Sequence, residues 1–500
     1  MASCGVDGHS PIDQCSMTAN VNRFFIGGRW VEPAGDETTE VLNPATEEVI
    51  ATAAVPTRED AKRAIAAARV AFDEGPWPHM RVAERAAKVR RMGEILRARQ
   101  QEIGELLIAE VGSTVVLAKS AQGAWAIDAF NLAADWAEDF PWEEPLKPNT
   151  QPFPLAGLAV REPVGVVTGM TPFNYPFFVN CWKVAPPIAM GNTVVLKPSP
   201  WTPLDAFELA RAAEEAEIPP GVVNVIGGGG IPVGEELAEN PMVDMVAFTG
   251  SVSGGRAVGR LAMETIKKVQ LELGGKSAAI VLDDADPADV GVRLMGSCMI
   301  HAGQGCGCTT RLLVPDHLHD AVVDQVVKAV SSMKIGNPVD PSVMLGPLIR
   351  EEHRQRVENY VKLGLDEGAR IVTGGRRPPD IPKGFFYEPT VFVDVRNDMR
   401  IAQEEIFGPV LCVLRYRDED EAVRIANDSV FGLGGAVITP NRERAIATAK
   451  RLRTGFVGVN GGMLNPMGSW GGYKQSGVGR EWRYGIEEFT ELKHVSWVDL

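Results

Sequence analysis

Two cysteines separated by one glycine lie in the stretch HAGQGCGCTTRLL, residues 301–313. Zinc requires about four ligands, whereas His301, Cys306 and Cys308 supply at most three. A disulfide between Cys306 and Cys308 would close a small, strained loop. Cys306 has a glycine on each side, which gives a substrate access to its sulfur, and a following helix or turn would lower its pKa. The stretch therefore predicts either a reactive thiol or a buried, inert one.

A carboxylate follows a short apolar run in KVQLELGGKS, where Glu272 stands at the end of a predicted strand. Ligands of α/β sheets gather at the carboxyl ends of strands. Removal from water raises the pKa of a carboxyl group, which suits a general base. Glu272 is thus either a general base or a solvated acid at a strand end.

Two glycine-rich loops come after predicted strands. In FTGSVSGGRAVGRL, residues 248–261, a strand ends, a loop follows and a helix begins. Free amides at such a helix start can bind a phosphate, or the loop is a simple turn in which Ser251 caps the helix. The other loop, GGGGIPVG at 227–234, does not fit the dinucleotide-binding glycine pattern in any register and is typical of a turn.

The elements that must position these residues are strands alternating with helices. Apolar residues at helical spacing predict helices before about residue 138. From Val164 onwards, short β-branched runs alternate with helical segments, which predicts a parallel α/β sheet. The alternation restarts after Gly275, which predicts a second α/β domain. FFIGGRWVEPAG predicts a hairpin, and KHVSWVDL predicts an edge strand.

The composition excludes several classes of protein. A chain of 500 residues predicts two or three domains. The net charge of −15 and the absence of basic runs argue against nucleic-acid binding. No apolar run is long enough for a membrane span. Seven scattered cysteines favour a reducing, cytoplasmic location, and the first twenty residues predict a flexible tail rather than a signal peptide.

Seven motifs, in order, resemble those of the aldehyde dehydrogenase superfamily. The likeness extends from about Phe25 to Lys493, and the spacing of 34 residues between Glu272 and Cys306 is the one that the family shows. The motifs are TPFNYP (171–176), VVLKPS (194–199), FTGS (248–251), LELGGKS (271–277), GQGC (303–306), EEIFGPV (404–410) and GGYKQSGVGRE (471–481).

The resemblance implies catalytic roles for four residues. Cys306 would attack an aldehyde carbonyl, and Asn174 together with the Cys306 backbone N–H would stabilise the oxyanion. Glu272 would activate the water that hydrolyses the thioester, with Glu481 behind it as a second acid and proton relay. The presence of Glu272 favours hydrolysis over acyl transfer to coenzyme A, which is the alternative reaction. A non-catalytic binding or structural protein on this fold is the alternative from another class.

The resemblance also implies a nicotinamide cofactor. Lys197 would bind the adenosine ribose, and Glu405 and Phe407 the nicotinamide ribose. Many members have a glutamate where this chain has Pro200, so NAD is expected and NADP is the alternative. The other residues that correspond to the cofactor site are Phe173, Ser199, Thr249, Gly250 and Ser251.

By the same alignment, the substrate tunnel is lined by apolar side chains and contains no basic residue. This lining favours a hydrophobic aldehyde, medium-chain aliphatic or aromatic, over a charged acid-semialdehyde. Cys308 and His301 match positions without a catalytic role. The residues expected in the tunnel are Tyr175, Phe178, Trp182, Ile300, Leu464 and Trp470.

The fold that the resemblance implies has three parts: a Rossmann-like parallel-sheet cofactor domain, an α/β catalytic domain and a small β oligomerisation element. Family members are dimers or tetramers, so a homodimer or homotetramer is expected. After the tail at 1–20, the cofactor domain would comprise residues 21–143 and 164–274, the catalytic domain 275–474, and the oligomerisation element 144–163 and 485–500.

Overall fold

The computed structural model describes residues 22–149, 151–152 and 155–498. The tail predicted at 1–20 lies outside these residues. Within them, no helix is both long enough and apolar enough to cross a membrane.

The helices are amphipathic and cover the sheets. The first helix starts at a capping box, in which the Thr57 side chain accepts from the backbone N–H of Asp60 and the Asp60 side chain accepts from that of Thr57. Its buried face follows the spacing Ala61, Ile65 and Ala68. In chain order, the α-helices are α1 (Arg58–Asp73), α2 (Val82–Ala98), α3 (Gln100–Val111), α4 (Val115–Lys119), α5 (Trp125–Glu138), α6 (Pro176–Ala189), α7 (Ala206–Glu215), α8 (Ile231–Glu239), α9 (Val252–Met263), α10 (Pro287–Cys298), α11 (His319–Ser331), α12 (Glu351–Asp366), α13 (Arg400–Gln403), α14 (Glu419–Asn427) and α15 (Arg442–Ala449).

The central strands are short, β-branched and buried on both faces, as expected of parallel sheets covered by helices. In chain order, the strands are β1 (Phe24–Ile26), β2 (Arg29–Val31), β3 (Thr38–Leu42), β4 (Val49–Ala54), β5 (Glu143–Pro145), β6 (Leu155–Pro163), β7 (Val166–Met170), β8 (Thr193–Lys197), β9 (Val223–Val225), β10 (Met245–Thr249), β11 (Lys268–Glu272), β12 (Ala278–Val281), β13 (Arg311–Pro315), β14 (Arg370–Thr373), β15 (Thr390–Val393), β16 (Val410–Tyr416), β17 (Gly435–Ile438), β18 (Gly458–Val459), β19 (Ser469–Trp470), β20 (Gly477–Val478), β21 (Glu481–Trp482) and β22 (Thr490–Val498).

The first sheet has the strand order β2-β1-β9-β8-β7-β10-β11-β20. Strands β9, β8, β7, β10 and β11 run parallel, which confirms the predicted parallel α/β sheet. Strands β1 and β2 form the predicted hairpin. Met170 pairs with Lys197, and Thr249 pairs with Glu272, so the carboxyl ends of these strands meet at one edge.

The second sheet has the order β14-β15-β16-β13-β12-β17-β18, with only β14 antiparallel to its neighbour. It has its own hydrophobic core, which runs from Ala278 to Leu452 in sequence. The restart of α/β alternation after Gly275 is therefore confirmed. The two sheets are joined by residues 273–277, directly after Glu272.

A third sheet joins distant parts of the chain in the order β22-β6-β5. Strand β22 pairs antiparallel with β6 along its whole length, and it forms one edge of this sheet, as KHVSWVDL predicted. Residues 475–484 lie outside the three parts that the resemblance implies. They include β20, which pairs with β11 at the edge of the first sheet.

Candidate active site

The segment that joins the two large sheets depends on two glycines. A Cβ atom on Gly274 would lie 2.2 Å from a carboxylate oxygen of Glu405, and one on Gly275 would lie 2.5 Å from the carbonyl oxygen of Cys306. The backbone N–H of Gly275 donates to Glu405 Oε1 at 2.9 Å. Glycine at both positions therefore lets Glu405 and Cys306 approach the end of the strand that carries Glu272.

The two cysteines of the opening stretch differ in their surroundings. Cys306 is partly exposed, whereas Cys308 is buried and its sulfur packs against Gly305, where an added Cβ would lie 2.8 Å from it. Burial raises the pKa of Cys306 well above its usual value, and the nearby carboxylates of Glu272 and Glu405 raise it further. The expectation that a helix or turn lowers this pKa is wrong, because the backbone N–H of Gly307 opposes the rise only in part.

Glu272 is buried, so the solvated strand-end acid is excluded. Neither carboxylate oxygen has a hydrogen-bond partner of good geometry among the described residues. Burial raises its pKa well above the ordinary value, the charge of Glu481 raises it further, and Lys183 opposes the rise. An added Cβ on Gly471 would lie 2.9 Å from Glu272 Oε1, so this glycine keeps room for the carboxylate.

Glu481 is paired with a lysine that the sequence reading did not identify. Lys183 Nζ lies 2.5 Å from Glu481 Oε1 and donates to Gln270 Oε1 at 3.1 Å. The lysine is fully buried, and a buried charge is stable only when it is paired. The signal was present in the sequence, since Lys183 is the one charged residue of the apolar helix α6.

Asn174 lies beside the Cys306 segment. Its side-chain amide donates to the main-chain carbonyl oxygen of Gln304 at 2.8 Å, and the main-chain carbonyl oxygen of Asn174 accepts from the Gln122 side chain at 3.1 Å. One N–H of the amide is used in the bond to Gln304. The second N–H is available to an oxygen that is bound near the sulfur.

The residues expected at the adenosine end lie at the edge where β8 and β10 finish. Lys197 Nζ donates to the carbonyls of Pro198 and Gly229 at 2.8 and 3.2 Å, and burial lowers its pKa to about 8. Ser251 caps α9 by accepting from the N–H of Gly254 at 3.1 Å, as the capped-turn interpretation expected. The exposed start of α9 still offers backbone amides to an anion.

The other residues expected around the cofactor form two groups. The rings of Phe173 and Phe407 meet edge to face at 5.8 Å, and Phe173 also contacts Trp201 at 4.9 Å. Ser199 accepts from the N–H of Trp201 at 3.2 Å. Thr249 is the last residue of β10 and pairs with Glu272. Its buried hydroxyl oxygen has no partner among the described residues.

An aromatic cluster lies next to Gly307, the residue after Cys306. Trp470 stacks on Trp482 at 5.7 Å, and an added Cβ on Gly307 would lie 3.1 Å from the Trp470 ring. The cluster thus reaches the residue next to Cys306. The centroids of neighbouring rings in the cluster lie 5.5 to 6.2 Å apart. The rings belong to Trp125, Phe178, Trp182, Trp470 and Trp482.

The other residues expected in the tunnel have contacts outside the aromatic cluster. Tyr175 contacts the ring of His301 at 5.4 Å, and its pKa is raised by burial and by the nearby Cys308 and Cys306. His301 is buried, and burial lowers its pKa to about 4. Ile300 opens a short 3-10 turn, and Leu464 packs half-buried against the first core. Trp125 and Trp482 were missed, although Trp482 directly follows Glu481 in the sequence.

In the described part of the chain, no group of His, Cys, Asp or Glu side chains is placed to hold a metal ion.

Comparisons with known proteins agree with this arrangement. Residues 30–495 match the aldehyde dehydrogenase family. The betaine aldehyde dehydrogenase of Bacillus subtilis is 42% identical over 94% of this chain and 96% of its own length. The geranial dehydrogenase of Castellaniella defragrans is 41% identical, with coverage of 93% and 96%. The crystal structure of a Mycobacterium tuberculosis aldehyde dehydrogenase complexed with NAD+ is 43% identical, covers 95% of this chain and 97% of that one, and has a TM-score of 0.92. This chain belongs to the aldehyde dehydrogenase family.

Proposed function

We propose that the protein oxidises an aldehyde to its carboxylic acid with NAD, through a covalent acyl intermediate on Cys306. The observation that carries this proposal is the meeting of three groups at the junction of the two sheets. Among the described residues, the Glu272 carboxylate is buried without a hydrogen-bond partner at the strand end, and Cys306 carries a partly exposed thiol. The Asn174 amide, beside the Cys306 segment, uses one N–H in its described hydrogen bonds and keeps the other for a ligand.

The residues at the carboxyl edge of the first sheet fit a dinucleotide. The open start of α9 suits a pyrophosphate, the Lys197 amine suits a ribose hydroxyl, and the Thr249 oxygen is a buried polar atom that needs a partner. The bound nicotinamide ring would accept the hydride that leaves the aldehyde carbon. We propose NAD as the cofactor, with NADP as the alternative that Pro200 leaves open.

Each chemical step uses a different group of this chain. The Cys306 thiol gives its proton to ionised Glu272, and the sulfur bonds to the carbonyl carbon while the Asn174 amide and the Cys306 backbone N–H hold the oxygen as it becomes negative. Glu272 passes that proton on before it acts again. After hydride departure the acyl group is a thioester. Glu272 takes a proton from water, whose oxygen then attacks the thioester and releases the acid and the thiolate. The Lys183–Glu481 pair offers a route onward for that proton. Because Glu272 supplies the base for water, we expect no acyl-coenzyme A to form.

Replacement of Cys306 tests the nucleophile. We expect Cys306→Ala to lower kcat by about 10³-fold or more, since no other group can form the acyl intermediate. The matched control is Cys308→Ala, which should stay within about fivefold of wild type because the Cys308 sulfur is buried and forms no bond in the proposed chemistry. NADH formation, read at its absorbance maximum, measures both. Normal turnover in Cys306→Ala would refute the assignment.

The second acid has a predicted effect on pH dependence. Glu272 works as a base only when ionised, and its raised pKa places the acidic limb of kcat above the range of an ordinary carboxyl group. Glu481→Gln removes a negative charge beside Glu272 and leaves Lys183 without its counter-ion. Both changes lower the Glu272 pKa, so the acidic limb should move to lower pH by about one unit.

Glu487→Gln, at an exposed position in the same segment, is the control for that shift and should leave the limb in place. The measurement is kcat against pH with saturating aldehyde and NAD. An unchanged limb in Glu481→Gln, or a limb at higher pH, would contradict the proposed coupling between the two acids.

We propose a hydrophobic aldehyde as the substrate, medium-chain aliphatic or aromatic. The support is the aromatic cluster, which presents indole rings next to Gly307 and Cys306. The same cluster favours a second candidate, since indole faces also attract quaternary ammonium groups. The names of the curated relatives include both kinds of aldehyde.

A panel of aldehydes separates these candidates. We expect kcat/KM for octanal and benzaldehyde to exceed that for acetaldehyde and succinic semialdehyde by about a hundredfold, because the indoles gain contact only with an apolar tail. Steady-state kinetics with NAD gives the ranking. The highest kcat/KM with betaine aldehyde would instead support the quaternary ammonium candidate, and the highest value with a short polar aldehyde would overturn both.

We also propose that the third sheet mediates a homodimer or homotetramer. Strand β22 is an edge strand with exposed apolar side chains, among them Trp497 and Val498, and such edges pair readily with another copy. Trp497→Glu should therefore reduce the molar mass measured by sedimentation velocity. Val49→Glu, at an exposed valine of strand β4, is the matched control and should leave the mass unchanged. A wild-type protein that sediments as a monomer would contradict the proposal.

A further inference from the structure

A buried glutamine holds the main chain of Asn174. Gln122 Nε2 donates to the Asn174 carbonyl oxygen at 3.1 Å, and Ser113 Oγ donates to Gln122 Oε1 at 2.9 Å. All three residues are buried, with Ser113 and Gln122 at 0% exposure. The sequence motifs do not include Gln122 or Ser113, and the proposed chemistry does not use them.

Gln122 reaches Asn174 because the helix widens locally. Residues Ser120–Ala124 form one π-helical turn between α4 and α5. The extra residue rotates every later side chain by about 100° around the helix axis compared with a regular α-helix. A Cβ on Gly123 would lie 2.5 Å from the carbonyl oxygen of Ala118, so glycine is required inside the turn. Such turns are frequent at functional sites.

The contact with Gln122 completes the restraint of Asn174. The side-chain amide of Asn174 is already fixed by Gln304 O, and the Gln304 side chain accepts from the N–H of Ile349 at 3.0 Å. At the start of the same segment, Thr171 Oγ1 donates to Asn180 at 2.6 Å. Loss of the Gln122 contact would remove one hydrogen bond from the main-chain carbonyl of Asn174.

Asn180 also contacts one of two neighbouring buried carboxyl groups, those of Asp205 and Glu110. Asn180 donates to Asp205 Oδ1 at 2.6 Å, and Glu110 Oε1 accepts from the N–H of Leu204 at 2.7 Å. Glu110 lies on α3, and Ser113 follows the end of that helix. One hydrogen-bond chain therefore runs from Ser113 through Gln122 to Asn174. A second path runs from Glu110 through the Leu204–Asp205 main chain to Asn180 and Thr171.

We infer that Gln122 is a positioning residue that aims the free amide N–H of Asn174 at the oxygen of the reacting carbonyl. This inference rests on the proposed role of Asn174. Gln122 does not touch the substrate; it fixes the backbone to which the amide is attached. A displacement of about 1 Å at such a group lowers a rate by about a hundredfold.

The test compares Gln122→Leu, Asn174→Ala and the double variant. Gln122→Leu keeps the shape and removes the donor, and we expect kcat to fall about tenfold to a hundredfold while KM for NAD changes less than about twofold. Ser113→Ala, which frees the Gln122 amide to rotate, should give a smaller fall. In the Asn174→Ala background, Gln122→Leu should have no further effect on kcat, because the group it positions is gone.

A control separates positioning from general damage. Gln101→Leu replaces an exposed glutamine of α3 and should behave as wild type. A merely structural role of Gln122 would lower kcat by the same factor with and without the Asn174 amide, and this outcome would overturn the inference. Unchanged kcat in Gln122→Leu would also overturn it while the proposed function stands. Unchanged kcat in Asn174→Ala would remove the oxyanion role itself, and the inference with it.

Discussion

The interaction on which the site depends is the repulsion between two buried carboxylates, Glu272 and Glu481. Two negative charges close together in a poorly solvated space repel each other, and their burial costs free energy. This favours pairing of one carboxylate with a cation and protonation of the other. Lys183 pairs with Glu481 at 2.5 Å, and the pKa of Glu272 is raised. Burial and the charge of Glu481 both raise the pKa of Glu272, and a raised pKa suits the proposed role of a base for water.

The sheets and several glycines hold the functional groups in place around Glu272. Parallel pairing brings Thr249, Glu272, Met170 and Lys197 to one edge, and the short segment after Glu272 carries the chain into the second sheet. Gly274 and Gly275 permit the close approach of Glu405 and of the Cys306 carbonyl, and Gly471 makes room for the Glu272 carboxylate. A methyl group at any of these glycines would force one of the functional groups away.

The sequence was sufficient for the fold class and for the strand ends and turns that carry the motifs, because hydrophobic periodicity and glycine placement are local properties. Strand β11 with Glu272 at its end and the cap at Ser251 were correctly expected for this reason. The pKa of Cys306 was not, because it depends on Glu272 and Glu405, which lie 34 and 99 residues away in sequence. Lys183, Trp125, Trp482 and Gln122 were missed for a similar reason, since their importance comes from partners in other elements and, for Gln122, from a helical irregularity.

The C-terminal part of the chain closes the site, and this has a consequence for its formation during synthesis. Strand β20 pairs with β11, Glu481 supplies the counter-ion of Lys183, and β22 pairs with β6. All three lie between residues 477 and 498, after the elements that they contact, so they leave the ribosome later than β6, α6 and β11. Until then the amine of Lys183 has no acid of its own, and the edge of β11 is open. A nascent chain thus contains Cys306 and Glu272 before it contains Glu481, and the pairing of Lys183 becomes possible only after residue 481 has been synthesised.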